Sequence, residues 1–165
     1  MEAIIYGAGT LGRIALNILR TNGTLEIIGF IDDDPITCET EIDGLKVIGR
    51  GKDLPNFRKF GVEAICVAVH DGKSRLWIAR MVENTRYQLL SAIHPKTNIS
   101  PEATIEAGCI IDEGAIIESG ARVGRCCYLG KGAVIKAQCS VPEGTIVRSG
   151  EVFEKMKERE SIPIT

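Results

Sequence analysis

The hydrophobic and polar positions at the start of the chain change from a strand pattern to a helix pattern and back again. The apolar run Ala3–Tyr6 stops at a glycine-rich segment, and apolar residues then recur at helical spacing over residues 13–20. A second apolar run at residues 26–31 ends at the acidic segment Asp32–Asp34. This order predicts a βαβ unit whose first turn carries the spacing G-x-G-x-x-G.

Each glycine of that turn has a separate physical task. Gly7 permits the tight turn, Gly9 lets backbone amides approach a phosphate, and Gly12 lets the helix pack on the sheet. The helix N-terminus offers free N–H groups and the positive end of its dipole to an anion. Asp32 lies 20 residues after Gly12, where a carboxylate can accept hydrogen bonds from a ribose or a base. The alternative is a glycine turn that binds nothing.

The pattern continues as an α/β domain over residues 1–92. It predicts a strand at 45–48, a short helix at 53–60, a buried strand at 63–69, a helix at 74–85 and a last strand at 87–93. His70, with Lys73 and Arg75 nearby, follows a strand end, which is where parallel sheets bind ligands, although a loop histidine can also be merely solvated. Because about ninety residues hold one complete mononucleotide-binding half, a mononucleotide or nucleotide sugar is favoured over NAD.

From Ile93 onward the hydrophobic pattern has a period of six. Ten successive hexads begin with Ile, Val or Leu, the residue two before each later start is small, and six of the last eight hexads have glycine in fourth place. Three hexads make one triangular coil, so residues 93–152 predict a parallel β-helix of about three coils. The charged segment that begins at Glu151 predicts a short C-terminal helix, with residues 153–165 as helix and tail.

Composition and charge reduce the number of function classes that fit the chain. A net charge of −2 gives no general attraction for nucleic acid or an anionic membrane surface. No apolar run approaches the ~18 residues needed to span a bilayer, and no signal peptide is evident, which predicts a cytoplasmic protein without membrane insertion.

The cysteines and histidines do not have the spacing of a metal site. The chain has six cysteines and two histidines but no C-x-x-C pair, so we expect reduced thiols and no bound metal. Three of the cysteines fall in the small-residue column of the hexads, where packing explains them: Cys109, Cys127 and Cys139. Cys38 and Cys126 are expected to be surface thiols.

Four segments carry a resemblance to a known family. They are IYGAGTLGR at 5–13, GFIDDDP at 29–35, VAVHDGKSR at 67–75 and IHP at 93–95. The chain resembles hexapeptide-repeat sugar acyltransferases of the sialic acid O-acetyltransferase and UDP-4-amino-sugar N-acetyltransferase type. The resemblance implies a Rossmann-like domain followed by a left-handed β-helix, with acetyl-CoA as a possible co-substrate.

The same resemblance implies where a UDP-sugar or related nucleotide sugar binds. Asp32 and Asp33 would contact the uracil. The phosphate loop would consist of Gly7, Gly9, Thr10, Leu11, Gly12 and Arg13. His70, Lys73 and Arg75 at the next strand end complete the expected binding residues. A homotrimer is also expected, through outward apolar residues such as Ile110, Ile116 and Tyr128.

The chain departs from the family where the chemistry should occur. The family's general base is a histidine in the eighth hexad with a glutamate beside it, and these positions are Ala137 and Gln138 here. An asparagine often found in the seventh hexad is Gly130, and the family's β-helix runs several hexads further. His94 shares the IHP segment and is interpreted as structural. No catalytic residue is therefore assigned.

Three functions stay open from the sequence. The chain could be a sugar acyltransferase whose base comes from a neighbouring chain. It could be a non-catalytic nucleotide-sugar-binding relative, acting as a sensor or an assembly partner. An NAD-linked redox protein is suggested only by the glycine loop and Asp32.

Overall fold

Six strands form the sheet of the first domain. The structure is a computed structural model that describes residues 1–154. The elements in chain order are β1 (Glu2–Tyr6), α1 (Thr10–Asn22), β2 (Glu26–Ile31), β3 (Glu41–Ile42), β4 (Leu45–Gly49), α2 (Leu54–Phe57), β5 (Val62–Val67), α3 (Gly72–Asn84) and β6 (Gln88–Leu89). The strand order is β3-β4-β2-β1-β5-β6, and every pair except β3 with β4 is parallel. The predicted α/β domain is present.

Helices cover the sheet on both faces because its central strands are apolar on both sides. In β1, Ile4 packs in the cluster that contains the buried face of α3, and Ile5 packs in the cluster that contains α1. Helix α1 ends at Gly23, whose left-handed backbone stops the helix. Helix α3 begins at Gly72, two residues before the predicted start, because Asp71 caps its first turn.

The predicted strand at 87–93 is two separate strands. Gln88–Leu89 pairs with β5 in the first sheet, whereas Ala92–Ile93 pairs with Ile110–Ile111 in the β-helix. The apolar run therefore crosses from one hydrophobic core to the other, and its periodicity does not show the crossing point.

Eleven two-residue strands form the β-helix. They are β7 (Ala92–Ile93), β8 (Asn98–Ile99), β9 (Thr104–Ile105), β10 (Ile110–Ile111), β11 (Ile116–Ile117), β12 (Arg122–Val123), β13 (Tyr128–Leu129), β14 (Val134–Ile135), β15 (Ser140–Val141), β16 (Ile146–Val147) and β17 (Val152–Phe153). Each pairs in parallel with the strand 18 residues away, so that Ile111 lies between Ile93 and Leu129. Three stacked sheets result, as the six-residue period predicts. The aliphatic and small columns form the interior core.

The predicted C-terminal helix is wrong at its start. Val152 and Phe153 form strand β17, with Phe153 opposite Ile135. Phe153 occupies the column that begins each hexad, so its side chain continues the interior of the β-helix. The remainder of the predicted helix, residues 155–165, lies outside the described residues.

The corners of the β-helix use left-handed backbone. Glycines in fourth place have φ between 66° and 79°, and Cys126 and Gln138 hold the same conformation with φ of 53° and 62°. Cys126 is not the expected surface thiol, because it is fully buried where the two domains meet. Cys38 is exposed, as expected.

The three faces of the β-helix differ in their environment. The face of β7, β10, β13 and β16 is covered by the first domain, since Ile110 and Tyr128 pack in the cluster that contains α1. Both residues were expected to contact a partner chain, whereas the first domain of the same chain covers them. A second face carries Thr104, Arg122 and Ser140. The third presents an apolar ladder that consists of Ile116, Val134 and Val152.

Within residues 1–154, no helix has the length and apolar character to cross a membrane. No group of His, Cys, Asp and Glu side chains in that range is arranged to hold a metal ion.

Candidate functional site

The glycine loop after β1 is fixed by close packing on one side and open on the other. A Cβ atom on Gly7, whose φ is 115°, would lie 2.5 Å from the carbonyl oxygen of Ala68. A Cβ on Gly12 would overlap the Gly7 carbonyl oxygen. A Cβ on Gly9 would meet nothing within 4 Å. Gly7 and Gly12 are thus required by the packing of loop and helix, whereas Gly9 borders free space.

The first turn of α1 faces that space without a side-chain cap. Gly9 is the N-cap residue and makes no side-chain hydrogen bond to the helix. In α3, by contrast, Asp71 accepts hydrogen bonds from the Ser74 amide at 2.8 Å and the Ser74 hydroxyl at 2.7 Å. These bonds lower the pKa of Asp71. Of these two helices, α1 is therefore the one whose terminal amides can bind an anion.

Two carboxylates from the end of β2 lie beside the loop. Asp32 accepts from the amide of Ala8 through Oδ2 and from the amide of Asp34 through Oδ1, both at 2.8 Å. Asp33 accepts from the Gly51 amide at 2.9 Å and from the Tyr6 hydroxyl. Each carboxylate thus fixes backbone or side-chain groups of the fold and retains further lone pairs for a ligand.

The sequence analysis did not identify Tyr6. Its ring is buried, and its hydroxyl donates to Asp33. Burial, together with the charge and hydrogen bond of Asp33, raises the pKa of Tyr6 well above its ordinary value. The phenol therefore remains a hydrogen-bond donor at physiological pH. In the sequence, Tyr6 could have been identified as a site residue because it is a tyrosine at the end of an otherwise aliphatic strand.

These groups surround a cavity of about 640 Å³, which we call the loop cavity. The predicted residues that line it are Gly7, Gly9, Thr10, Leu11, Asp32, Asp33 and His70. The lining residues that the sequence did not indicate are Tyr6, Ala68, Val69, Ser74 and Ile78. The cavity lies beyond the carboxyl ends of β1, β2 and β5, the usual ligand position in a parallel sheet.

Three other predicted residues lie around the loop cavity rather than in its lining. Gly12 packs beneath the loop. Arg13 borders a separate hollow of about 290 Å³ next to the glycine loop, and its guanidinium lies 3.5 Å from Asp43. Lys73 borders an outer hollow next to Trp77.

Arg75 is not available to a ligand, which corrects its assignment. The side chain is fully buried. Its Nε donates to the Cys126 carbonyl at 2.7 Å, and Nη1 donates to the carbonyls of Val69 and His70 at 2.8 and 2.9 Å. Nη2 donates to the Gly144 carbonyl at 3.3 Å. Burial lowers the pKa of the guanidinium, although arginine stays charged.

This arginine joins the loop cavity to the β-helix. Val69 and His70 form the wall of the cavity after β5, whereas Cys126 and Gly144 belong to corners of the β-helix. The two domains touch at the same place, since a Cβ on Gly72 would overlap the Gly144 carbonyl. The His70 wall of the cavity is therefore held by groups from both domains.

The position of the family's general base lies at an exposed corner of the β-helix. Ala137 donates its amide to Glu118 at 2.9 Å, and its side chain has no group that transfers a proton. The Gln138 amide group lies over Gly120, in the space that a Cβ there would need. A Cβ on Gly130 would lie 2.6 Å from the Ser149 amide nitrogen, so the asparagine of the family would not fit without a shift.

The two histidines lie elsewhere. His70 is exposed at the rim of the loop cavity. In the first coil, His94 accepts a hydrogen bond at Nδ1 from the Lys96 amide at 3.0 Å. That bond uses the Nδ1 lone pair to hold the ring against its own turn of the first coil.

The fold is that of a Rossmann-type domain joined to a hexapeptide β-helix, and known proteins share both parts. Residues 2–82 match the family model of the PglD N-terminal domain. No curated protein sequence matches the chain.

Solved structures share the whole architecture. Perosamine N-acetyltransferase from Caulobacter crescentus, solved with CoA and GDP-perosamine, is 22% identical with a TM-score of 0.76, and the match covers 94% of this chain and 89% of that one. The acetyltransferase domain of PglB from Neisseria gonorrhoeae, solved with acetyl coenzyme A, is 23% identical with a TM-score of 0.69 and coverage of 90% and 88%. WeeI from Acinetobacter baumannii is 20% identical with a TM-score of 0.56 and coverage of 94% and 92%.

Residues 2–82 match a PglD-type N-terminal domain, and the chain as a whole shares the two-domain fold of hexapeptide-repeat sugar acetyltransferases. The resemblance found in the sequence, including its left-handed β-helix, is confirmed.

The buried guanidinium gives a first prediction. Replacing Arg75 with Met leaves four carbonyl groups at the domain junction without their donor, so we expect the free energy of unfolding to fall by about 3 kcal/mol. Arg75→Lys should also destabilise, because one ammonium group cannot reach all four carbonyls. Urea unfolding followed by circular dichroism measures both changes. The control is Lys73→Met on the exposed surface, and an Arg75→Met midpoint equal to that of the control would contradict the assignment.

Proposed function

We propose that the chain binds a nucleoside diphosphate sugar in the loop cavity. The observation that carries this proposal is the uncapped first turn of α1, which opens into the cavity next to the carboxylates of Asp32 and Asp33. The diphosphate would accept hydrogen bonds from amides of residues 7–13, favoured by the helix dipole. The carboxylates would accept hydrogen bonds from ribose hydroxyls or from the base. His70, on the opposite wall, can donate to a phosphate or to the sugar.

A nucleotide sugar accounts for the site better than NAD. The first domain contains one mononucleotide-binding half, and its sixth strand leads directly into the β-helix. A protein of the same architecture was solved with GDP-perosamine, which supports a nucleotide sugar as the ligand class. The proposal covers UDP-sugars and related nucleotide sugars, without a choice of sugar.

Ligand binding should stabilise the folded protein. At one hundred times its dissociation constant, a ligand adds about 2.7 kcal/mol to the free energy of unfolding. We therefore expect thermal-shift measurements with UDP- and GDP-sugars to show a rise in melting temperature. Gly9→Glu should abolish the rise, because a Cβ at Gly9 has free space but a carboxylate there repels the diphosphate.

The matched control adds the same charge away from the cavity. Asn56 is exposed in α2, so Asn56→Glu should keep the ligand-induced rise. If protein shown to be free of ligand gives no rise with any nucleotide or nucleotide sugar, the proposed function is wrong.

We further propose that this chain does not by itself supply the base for acetyl transfer. The carrying observation is the exposed corner with Ala137 and Gln138, where no described side chain takes the role of the family's histidine. Two functions remain within this proposal. One is a non-catalytic nucleotide-sugar-binding relative. The other is an acetyl-CoA-dependent sugar acetyltransferase completed by another chain, which the solved CoA complexes of the same fold favour.

Acetyl transfer by the purified chain should be slow. A positioned general base contributes about 10²–10⁴-fold to a rate, and alanine at position 137 cannot contribute it. The measurement is thiol release from acetyl-CoA with a panel of nucleotide amino sugars and sialic acids, using protein that shows the thermal shift described above. Turnover at a rate usual for acetyltransferases would contradict the proposal and would make His70 the candidate general base.

We also propose that the chain forms a homotrimer through the apolar ladder Ile116, Val134 and Val152. Within residues 1–154 this ladder is the exposed apolar face of the β-helix, since the first domain covers the face of β7, β10, β13 and β16, and the face of Thr104, Arg122 and Ser140 is polar. Light scattering after size exclusion should give three times 17.9 kDa. Ile116→Glu should reduce the mass toward one chain, while Arg122→Glu on the polar face should not. A wild-type monomer at tens of micromolar protein would refute the trimer.

A further inference from the structure

The side chain of Trp77 projects from α3 with no cover. It is 66% exposed, and it is the single tryptophan of the chain. A large aromatic residue is costly to leave in water, and exposed aromatic side chains are enriched where proteins bind ligands or partners. Trp77 stands one helical turn after Lys73, so both side chains lie on the same side of α3.

Trp77 borders a space that continues the loop cavity outward. The outer hollow has a volume of about 500 Å³ and is lined by Asp33, Lys73, Ser74, Trp77 and Ile78. Asp33, Ser74 and Ile78 also line the loop cavity. The two spaces thus share one wall on α3 and one carboxylate at the end of β2.

We infer that Trp77 is the stacking platform for the nucleobase of the bound nucleotide. The inference rests on the proposed function, in which the diphosphate lies at the first turn of α1, and of the two groups proposed for the carboxylates it takes the ribose as the one that contacts Asp32 and Asp33. The base must then lie beyond the ribose. Asp33 is the carboxylate common to both spaces, so the base enters the outer hollow, where the indole lies.

Tyr6, the aromatic residue that contacts Asp33, cannot serve as this platform. The ring of Tyr6 is 2% exposed and its hydroxyl is bonded to Asp33. Trp77 is largely exposed, and the outer hollow beside it is also lined by Lys73 and Asp33, which carry charged groups. A heteroaromatic base suits that setting, because its face stacks on the indole while its polar edge reaches charged groups.

Fluorescence tests the inference directly, because the emission comes from one tryptophan. The probes are UDP, GDP, ADP, CDP and dTDP, with inorganic pyrophosphate as the base-free comparison. We expect the nucleotide that binds to quench Trp77 emission and pyrophosphate to leave it unchanged. By calorimetry, Trp77→Ala should weaken the affinity for that nucleotide about tenfold, since stacking on an aromatic side chain contributes that order. Trp77→Phe should retain most of the affinity, and all variants should bind pyrophosphate alike.

The matched control removes another exposed aromatic ring. Phe60 is 71% exposed and lies outside both spaces, so Phe60→Ala should leave nucleotide affinity unchanged. Nucleotide binding without quenching, and with equal affinity in Trp77→Ala, would overturn the platform while leaving the proposed function intact. No heat from any nucleotide would overturn both. A change of oligomeric mass in Trp77→Ala at unchanged nucleotide affinity would assign the indole to contact between copies and would also overturn the platform.

Discussion

A fully buried guanidinium without an acidic hydrogen-bond partner lies at the junction of the two domains and donates hydrogen bonds to backbone carbonyls on both sides of it. Burying a charge costs free energy unless hydrogen bonds compensate for the lost water, and Arg75 obtains them from four backbone carbonyls. Two of those carbonyls follow β5 and two belong to corners of the β-helix. The arrangement requires both domains in place, and it adds to the packing of Ile110 beneath α1 and to the Arg125–Glu83 ion pair at 2.7 Å.

The loop cavity depends on that link. One wall is the glycine loop, which is fixed by the contact of Gly7 with Ala68 and by the hydrogen bond from Ala8 to Asp32. The opposite wall includes Val69 and His70, whose carbonyls accept from Arg75. Binding of a ligand that contacts both walls would therefore depend on the contacts at the domain junction. The β-helix therefore helps to fix the wall of the loop cavity.

The parts of the fold set by local chemistry could be predicted from the sequence. The role of Gly12 follows from steric limits within one turn, because a Cβ there would overlap the Gly7 carbonyl, and the six-residue columns follow from the inward aliphatic side chains. The assignment of Arg75 failed because its carbonyl partners at Cys126 and Gly144 are more than fifty residues away in the sequence. The burial of Ile110 beneath α1 is non-local in the same way. Periodicity shows which residues face out of the β-helix, but not what covers them.

We propose the loop cavity as a nucleotide-sugar site, and Arg75 fixes one wall of that cavity to the β-helix. Hydrogen exchange measured by mass spectrometry, with and without saturating UDP- or GDP-sugar, tests it most directly. We expect slower exchange at the amides of residues 8–13 and 69–75, and at the corner amides of residues 126 and 144. The exchange of residues 98–105, on the far side of the β-helix, should not change. Protection confined to residues 98–105, or unchanged exchange at residues 8–13 with ligand bound, would contradict the account.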